Sequence, residues 1–294
     1  MSFISKPVPP ALLGPRPNGS YQQIGGAEKK QTLSRLQKLR LDFPSPGEQL
    51  TPVARRKIDE AYDIFVFESV FESKPPLIMY YFAARIAECK FFLGDTKKAL
   101  DLLTMIEGGI KGLLNNDERS DLLLRVIEIY RKNNLFDEVA RATELIEDQH
   151  TKIETHFQTV EYFGSSGEIV LAIRVINQYI CPAAEKQEDK KEKTAILLTA
   201  ARLLIRFNLK LDAKIILKKA AEHLNGMDYL PLEEIAVLLA NIGYFDDAVH
   251  LLTDNWFHES ILSGKGIDPT SIRETIIKTR FPLFAQTWEQ FARR

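Results

Sequence analysis

"GYFDDAVHLL" (residues 243–252) reads as a glycine followed by the start of a helix, and the chain says nearly the same thing four times before it. "GDTKKALDLL" occupies 94–103, "NLFDEVARAT" 134–143, "GEIVLAIRVI" 167–176 and "NLKLDAKIIL" 208–217. Each stretch opens with Gly or Asn and sets a small or aliphatic residue five positions later: Ala99, Val139, Ala172, Ala213 and Ala248. Gly and Asn reach positive φ most readily, so they end one helix. Asp95, Asp137, Asp212 and Asp246 fall early in the next, where the macrodipole favours a carboxylate. The small residue lets the two helices approach closely.

Successive small positions lie 40, 33, 41 and 35 residues apart, each about the length of a helical hairpin. A lone hairpin cannot bury both of its faces, and stacked neighbours supply the missing wall. The pattern therefore predicts an all-α fold, an α-solenoid of about five hairpins over 77–256. First helices are expected near 77–92, 119–132, 152–163, 193–206 and 231–241. Second helices are expected near 95–107, 136–148, 167–179, 210–224 and 245–255. No segment shows sustained β-branched alternation, so no strand is expected.

The flanks read differently. Residues 1–50 read as a basic arm with a short helix. Pro7, Pro9, Pro10, Pro15 and Pro17 make its beginning extended, and Leu33, Leu36 and Leu39 mark one side of a helix over 27–41. Residues 51–76 read as an N-terminal capping helix, with Thr51 as N-cap, Pro52 at N1 and an apolar stripe of Ile58, Ala61, Tyr62, Phe65 and Phe67. Residues 257–294 read as C-terminal capping helices, divided by Pro282. Trp256 and Trp288 are expected to cover the last apolar face.

The units resemble the tetratricopeptide repeat (TPR), a hairpin of ~34 residues. Gly94-Asp95 and Gly243-Tyr244 match its turn, set five residues before an alanine. Seven residues before the turn, where the family favours a small residue, stand Ala87, Ala201 and Ala236, with Ile127 and Val160 in units two and three. The family's tryptophan is replaced by Ala83, Leu123, His156, Leu197 and Leu232, and its closing proline is mostly missing, so the units resemble divergent TPRs, and units two and three also fit related helical-repeat families. Within that family, the unit spacing is similar to the TPR subunit (subunit twelve) of the TRAPP vesicle-tethering complex. The features are "FFLGDTKKALDLL" (91–103) and His258-Glu259-Ser260-Ile261-Leu262 after the last unit. The loop between the first two units is shorter here, and the sequence after Leu262 departs from that subunit.

A net charge of -1, with 45% hydrophobic and 27% charged residues, fits a chain with a sizeable core and no global basic field for nucleic acid. Cys89 and Cys181 are expected to be inert, reduced thiols. No signal peptide and no membrane span are expected. The five histidines form no HxxxH or HExxH pair, so no metal or other cofactor is expected. "FGSSGE" (163–168) fails as a nucleophile elbow, because Glu168 stands where glycine is needed and no strand precedes it. "EGGIKG" (107–112) lacks the phosphate-loop pattern. No enzyme is expected. The aromatics at helical spacing, Phe65, Tyr80 and Tyr130 among them, read as core.

In TPR arrays the first helices line the concave surface, and that likeness sets the candidate partner-binding residues. They are Arg85 and Glu88 in unit one, Arg125 and Glu128 in unit two, and Gln158 and Glu161 in unit three. Glutamates there would repel a partner's carboxylate and any nucleic acid, and would accept a basic or mixed peptide or helix. The competing explanation is that Glu88 with Arg85, and Glu128 with Arg125, form solvated i,i+3 pairs. The reading is a scaffold or adaptor whose partners are other subunits of a larger complex, with no nucleic acid, membrane insertion or small-molecule substrate. The TRAPP likeness implies a cytoplasmic assembly that tethers vesicles and activates a Rab, peripheral to Golgi or ER membranes. Rival readings are a peptide-binding TPR co-chaperone or targeting adaptor, and an organellar assembly subunit.

Overall fold

The computed structural model describes residues 51–71, 77–110, 116–224, 229–262 and 269–292. The predicted arm and helix over 1–50 lie outside them. The described residues are helical and contain no strand. In chain order the helices are α1 (Pro52–Phe71), α2 (Leu77–Phe92), α3 (Thr96–Ile110), α4 (Asn116–Lys132) and α5 (Phe136–Glu144). Then come α6 (Gln149–Ser165), α7 (Ile169–Val175), α8 (Cys181–Glu185), α9 (Lys190–Arg206) and α10 (Lys210–Glu222). The last four are α11 (Tyr229–Asn241), α12 (Phe245–Leu262), α13 (Pro269–Arg280) and α14 (Pro282–Ala292).

The five repeated stretches are helix-to-helix turns of one kind. Gly94, Asn134, Gly167, Asn208 and Gly243 hold φ of 78°, 55°, 86°, 60° and 99°. At the last turn, Tyr244 N donates to Leu239 O at 2.9 Å and Gly243 N to Ala240 O at 3.0 Å. The same two bonds recur at the other four turns, and together they satisfy carbonyls that a helix end would leave open. The Tyr244 carbonyl then accepts the Ala248 amide at 3.1 Å, so the second helix begins at once. The five small positions are buried, with Ala99, Ala172, Ala213 and Ala248 at 0% exposure and Val139 at 1%.

The chain divides into two compact units, Met1–Ala99 and Leu100–Arg294. In the first, α1 packs on α2, burying Ile58, Ala61 and Phe65 on one helix and Met79, Ala83 and Ala87 on the other. Lys90 of α2 is 1% exposed and pairs with Asp59 of α1, with its ammonium 5.0 Å above the Tyr62 ring. Burial of a lysine is tolerable only with such compensation.

In the second unit, α4 pairs with α5, α6 with α7, α9 with α10, and α11 with α12. The hairpins stack in succession: α6 touches both α4 and α5, α9 touches α6, and α11 touches α10. This is the predicted solenoid packing. A single buried core runs from Phe136 to Phe284. Helix α14 closes it, with Phe284 stacked 6.0 Å from Phe245 and Trp288 at 5.5 Å. Buried Glu233 of α11 accepts the Phe284 amide at 2.8 Å, and so caps α14 from another helix. The Trp256 side chain lies outside the described residues.

Among the boundaries that differ from the sequence reading, three have a clear local cause or consequence. Helix α5 ends at Glu144, because Asp148 accepts the Thr151 amide at 2.7 Å and starts α6 three residues early. Helix α12 runs on to Leu262, which places His258–Leu262 inside a helix. Between α7 and α8 the chain passes through a π-helical turn, Ile176–Ile180, and stays helical to Glu185. Pro182 is the reason: it has no amide to donate, and its ring crowds the carbonyl four residues back. The wider turn ahead of it absorbs both.

Candidate functional site

Each first helix of the second unit buries one face and leaves residues three or four apart at the surface. These are Asp121, Arg125, Glu128 and Lys132 on α4, and Glu154, Gln158, Glu161 and Ser165 on α6. Helix α9 adds Ala195, Thr199, Arg202 and Arg206, and α11 adds Leu230, Glu234, Leu238 and Asn241. Two ion pairs tie this row across consecutive hairpins: Arg206 of α9 to Glu161 of α6 at 2.8 Å, and Arg202 of α9 to Glu234 of α11. Side chains that reach one another between helices must share a surface. The first-helix face is continuous from α6 to α11.

The six predicted residues divide between the two units. Arg85 and Glu88 lie in the first, where they form the expected i,i+3 pair at 2.9 Å. In the second, Arg125 and Glu128 pair at 3.0 Å, and Lys132 joins Glu128 at 2.8 Å. The Lys132 bond, with the field of both bases, holds the Glu128 carboxyl below the ordinary range. Glu161 is held by Arg206. Each glutamate thus carries a base, and the face is a ladder of mixed charge.

Gln158 and Glu161 come together in an open depression of about 620 Å³, which Arg131, Tyr162, Ser165, Ser166 and Arg206 also line. Arg131, from the last turn of α4, was not singled out by the sequence reading. Its Nε is buried without a hydrogen-bond partner among the described residues. Desolvation lowers its pKa from the usual guanidinium value. A signal existed: three residues before the turn, the other units carry Phe91, Gly164, Ile205 and Ala240, so a charge at 131 breaks the pattern. Gly164 has its own reason at that register. A Cβ there would stand 2.2 Å from the Phe207 ring, which lies over it.

Two polar clusters inside the second unit also escaped the sequence. Buried Glu107 accepts the Tyr130 hydroxyl at 2.8 Å and pairs with Arg141 at 3.2 Å; burial raises the Glu107 carboxyl above its ordinary range. His156 is buried against the Tyr179 ring at 4.8 Å, and desolvation pushes its imidazole down to about 4. Glu144, 3.5 Å from its Nε2, works the other way. Cys89 and Cys181 are buried free thiols, and burial pushes Cys89 up to about 12. Among the described residues, no group of three His, Cys, Asp or Glu could hold a metal ion, and no helix is long and apolar enough to cross a membrane.

No family model matches the chain, and no curated protein matches it. Among solved structures it is similar to BtubC (BKLC) from P. vanneervenii, at 12% identity over 82% of this chain and 94% of that one. The TM-score is 0.31, a likeness too slight to carry fold or function to this chain.

Proposed function

We propose that the chain is a non-enzymatic scaffold or adaptor subunit of a multi-protein complex, and that it holds partners along its first-helix face. The observation behind this reading is the ladder of exposed charged side chains joined between α6, α9 and α11. A surface that stays continuous over stacked hairpins can engage an extended or helical segment many residues long. Its mixed charge fixes register and orientation, while apolar contacts around the ladder supply most of the binding energy. The sequence likeness at 91–103 and 258–262 supports a finer reading, a place in a TRAPP-type vesicle-tethering and Rab-activating complex in the cytoplasm, beside Golgi or ER membranes.

Purification from native cells with cross-linking mass spectrometry tests both levels. Stoichiometric partners cross-linked to α4, α6, α9 or α11 are expected, with TRAPP subunits among them. A chain that purifies alone would refute the scaffold reading, and stoichiometric partners of another complex would refute the finer one. Changing Glu88, Glu128 and Glu161 together to Lys should weaken capture while shifting stability by only about 1 kcal/mol, as for surface changes. Unchanged capture would move the interface to another face.

A further inference from the structure

The depression between α4, α6 and α9 has an unbalanced chemistry. Its one carboxylate, Glu161, is matched by Arg206 at 2.8 Å. Arg131 feels the field of Glu128, one helical turn back, but forms no ion pair among the described residues, and its buried Nε has no acceptor. Gln158, Tyr162 and Ser165 add an amide and two hydroxyls to the lining. Ser166 spends its hydroxyl on the Phe163 carbonyl, at 3.1 Å. The rest of this half-buried side chain lines the open depression, where its outer nitrogens can give a carboxylate two parallel hydrogen bonds.

We infer that this depression is the seat for an acidic side chain, Asp or Glu, on a partner polypeptide lying across α4, α6 and α9. The occupant supplies Arg131 with the ion pair it lacks among the described residues, and the Glu161–Arg206 pair forms one wall of the seat. The seat shares Gln158 and Glu161 with the first-helix face, but there Arg206 neutralises Glu161, so the repulsion that unpaired glutamates would exert on a partner carboxylate is absent. The inference rests on the reading of the first-helix face as the partner surface.

The test uses the full chain and an acetylated, amidated hexaglutamate peptide, read by NMR at the arginine Nε–H groups and backbone amides. Expected are saturable shifts at Arg131 and over residues 158–166, weakening with salt, and none with hexalysine. Arg131→Gln should weaken binding roughly tenfold or more, equivalent to about 1.4 kcal/mol. Arg131→Lys should recover part of it, and Gln158→Ala should weaken binding from a residue already at the surface. Absence of peptide shifts at Arg131 overturns the proposal, as does equal binding by Arg131→Gln. So does tighter binding of inorganic phosphate than of the peptide, which would assign the seat to a phosphate group. The two readings fail separately. If native partners co-purify unchanged with Arg131→Gln, the seat is wrong and the scaffold reading stands.

Discussion

Gly164→Ala sets two energies of opposite sign against each other. Gly164 lies in the last full turn of α6, where replacing glycine by alanine ordinarily stabilises a helix by up to ~1 kcal/mol. Here the new methyl would fall 2.2, 2.3 and 2.6 Å from three ring carbons of Phe207. The ring cannot retreat with its backbone. Phe207 N is bonded to Leu203 O at 3.1 Å, and Asn208 beside it is held at φ 60° by the turn. The side chain must swing instead, and such overpacking costs roughly 1–3 kcal/mol. The net expectation is destabilisation by about 1 kcal/mol. In a Phe207→Ala background the obstacle is gone, so the same substitution should stabilise by up to ~1 kcal/mol. Urea unfolding followed by helical circular dichroism, with the four variants in one cycle, reads the sign through the midpoints. Midpoints serve better than extrapolated energies, because stacked hairpins can depart from two-state unfolding. Stabilisation by Gly164→Ala in both backgrounds would refute the packing of Phe207 over α6.

Other substitutions probe other parts of the second unit. His156 stays neutral when folded, down to about pH 4, but takes a proton near its ordinary value when unfolded. Its contribution is therefore complete above that value and is lost as pH falls toward 4, by about 2 kcal/mol near pH 5. Thermal melts of His156→Phe should show a shallower loss over that window, and an unchanged slope would exclude His156 as the cause. Tyr130→Phe removes the hydroxyl that Glu107 accepts and should cost about 1–3 kcal/mol in chemical unfolding; a neutral result would mean that Arg141 alone satisfies Glu107. Ala213→Phe and Ala248→Phe should each cost roughly 1–3 kcal/mol or more, since both sites have 0% exposure, and equal stability would mean that those helices do not touch there.

What the sequence by itself determined is the local grammar. A Gly or Asn that must take positive φ and a small or aliphatic residue five positions on are short-range requirements that all five turns meet in the same geometry, and an aspartate follows in four of them. The TPR-like register, carried onto the first helices, likewise placed Arg125, Glu128, Gln158 and Glu161 on their outward side, and they lie at the surface. The i,i+3 pairs at Arg85–Glu88 and Arg125–Glu128 were legible because both partners ride one helix.

The tertiary structure alone decided who meets whom between helices. Arg206 reaches Glu161 across 45 residues of chain, and Glu233 caps a helix 51 residues away. Such partners depend on how two separately formed hairpins slide and rotate against each other. That is settled by the packing of whole apolar faces, for which no local spacing is a proxy. The π-helical turn before Pro182 is intermediate: the proline was visible, but only packing on both sides could show that the helix would widen rather than stop. Arg131 is the clearest case. The sequence announces an ordinary helix-end arginine, and only the packed structure buries its Nε without an acceptor beside residues of α6 and α9.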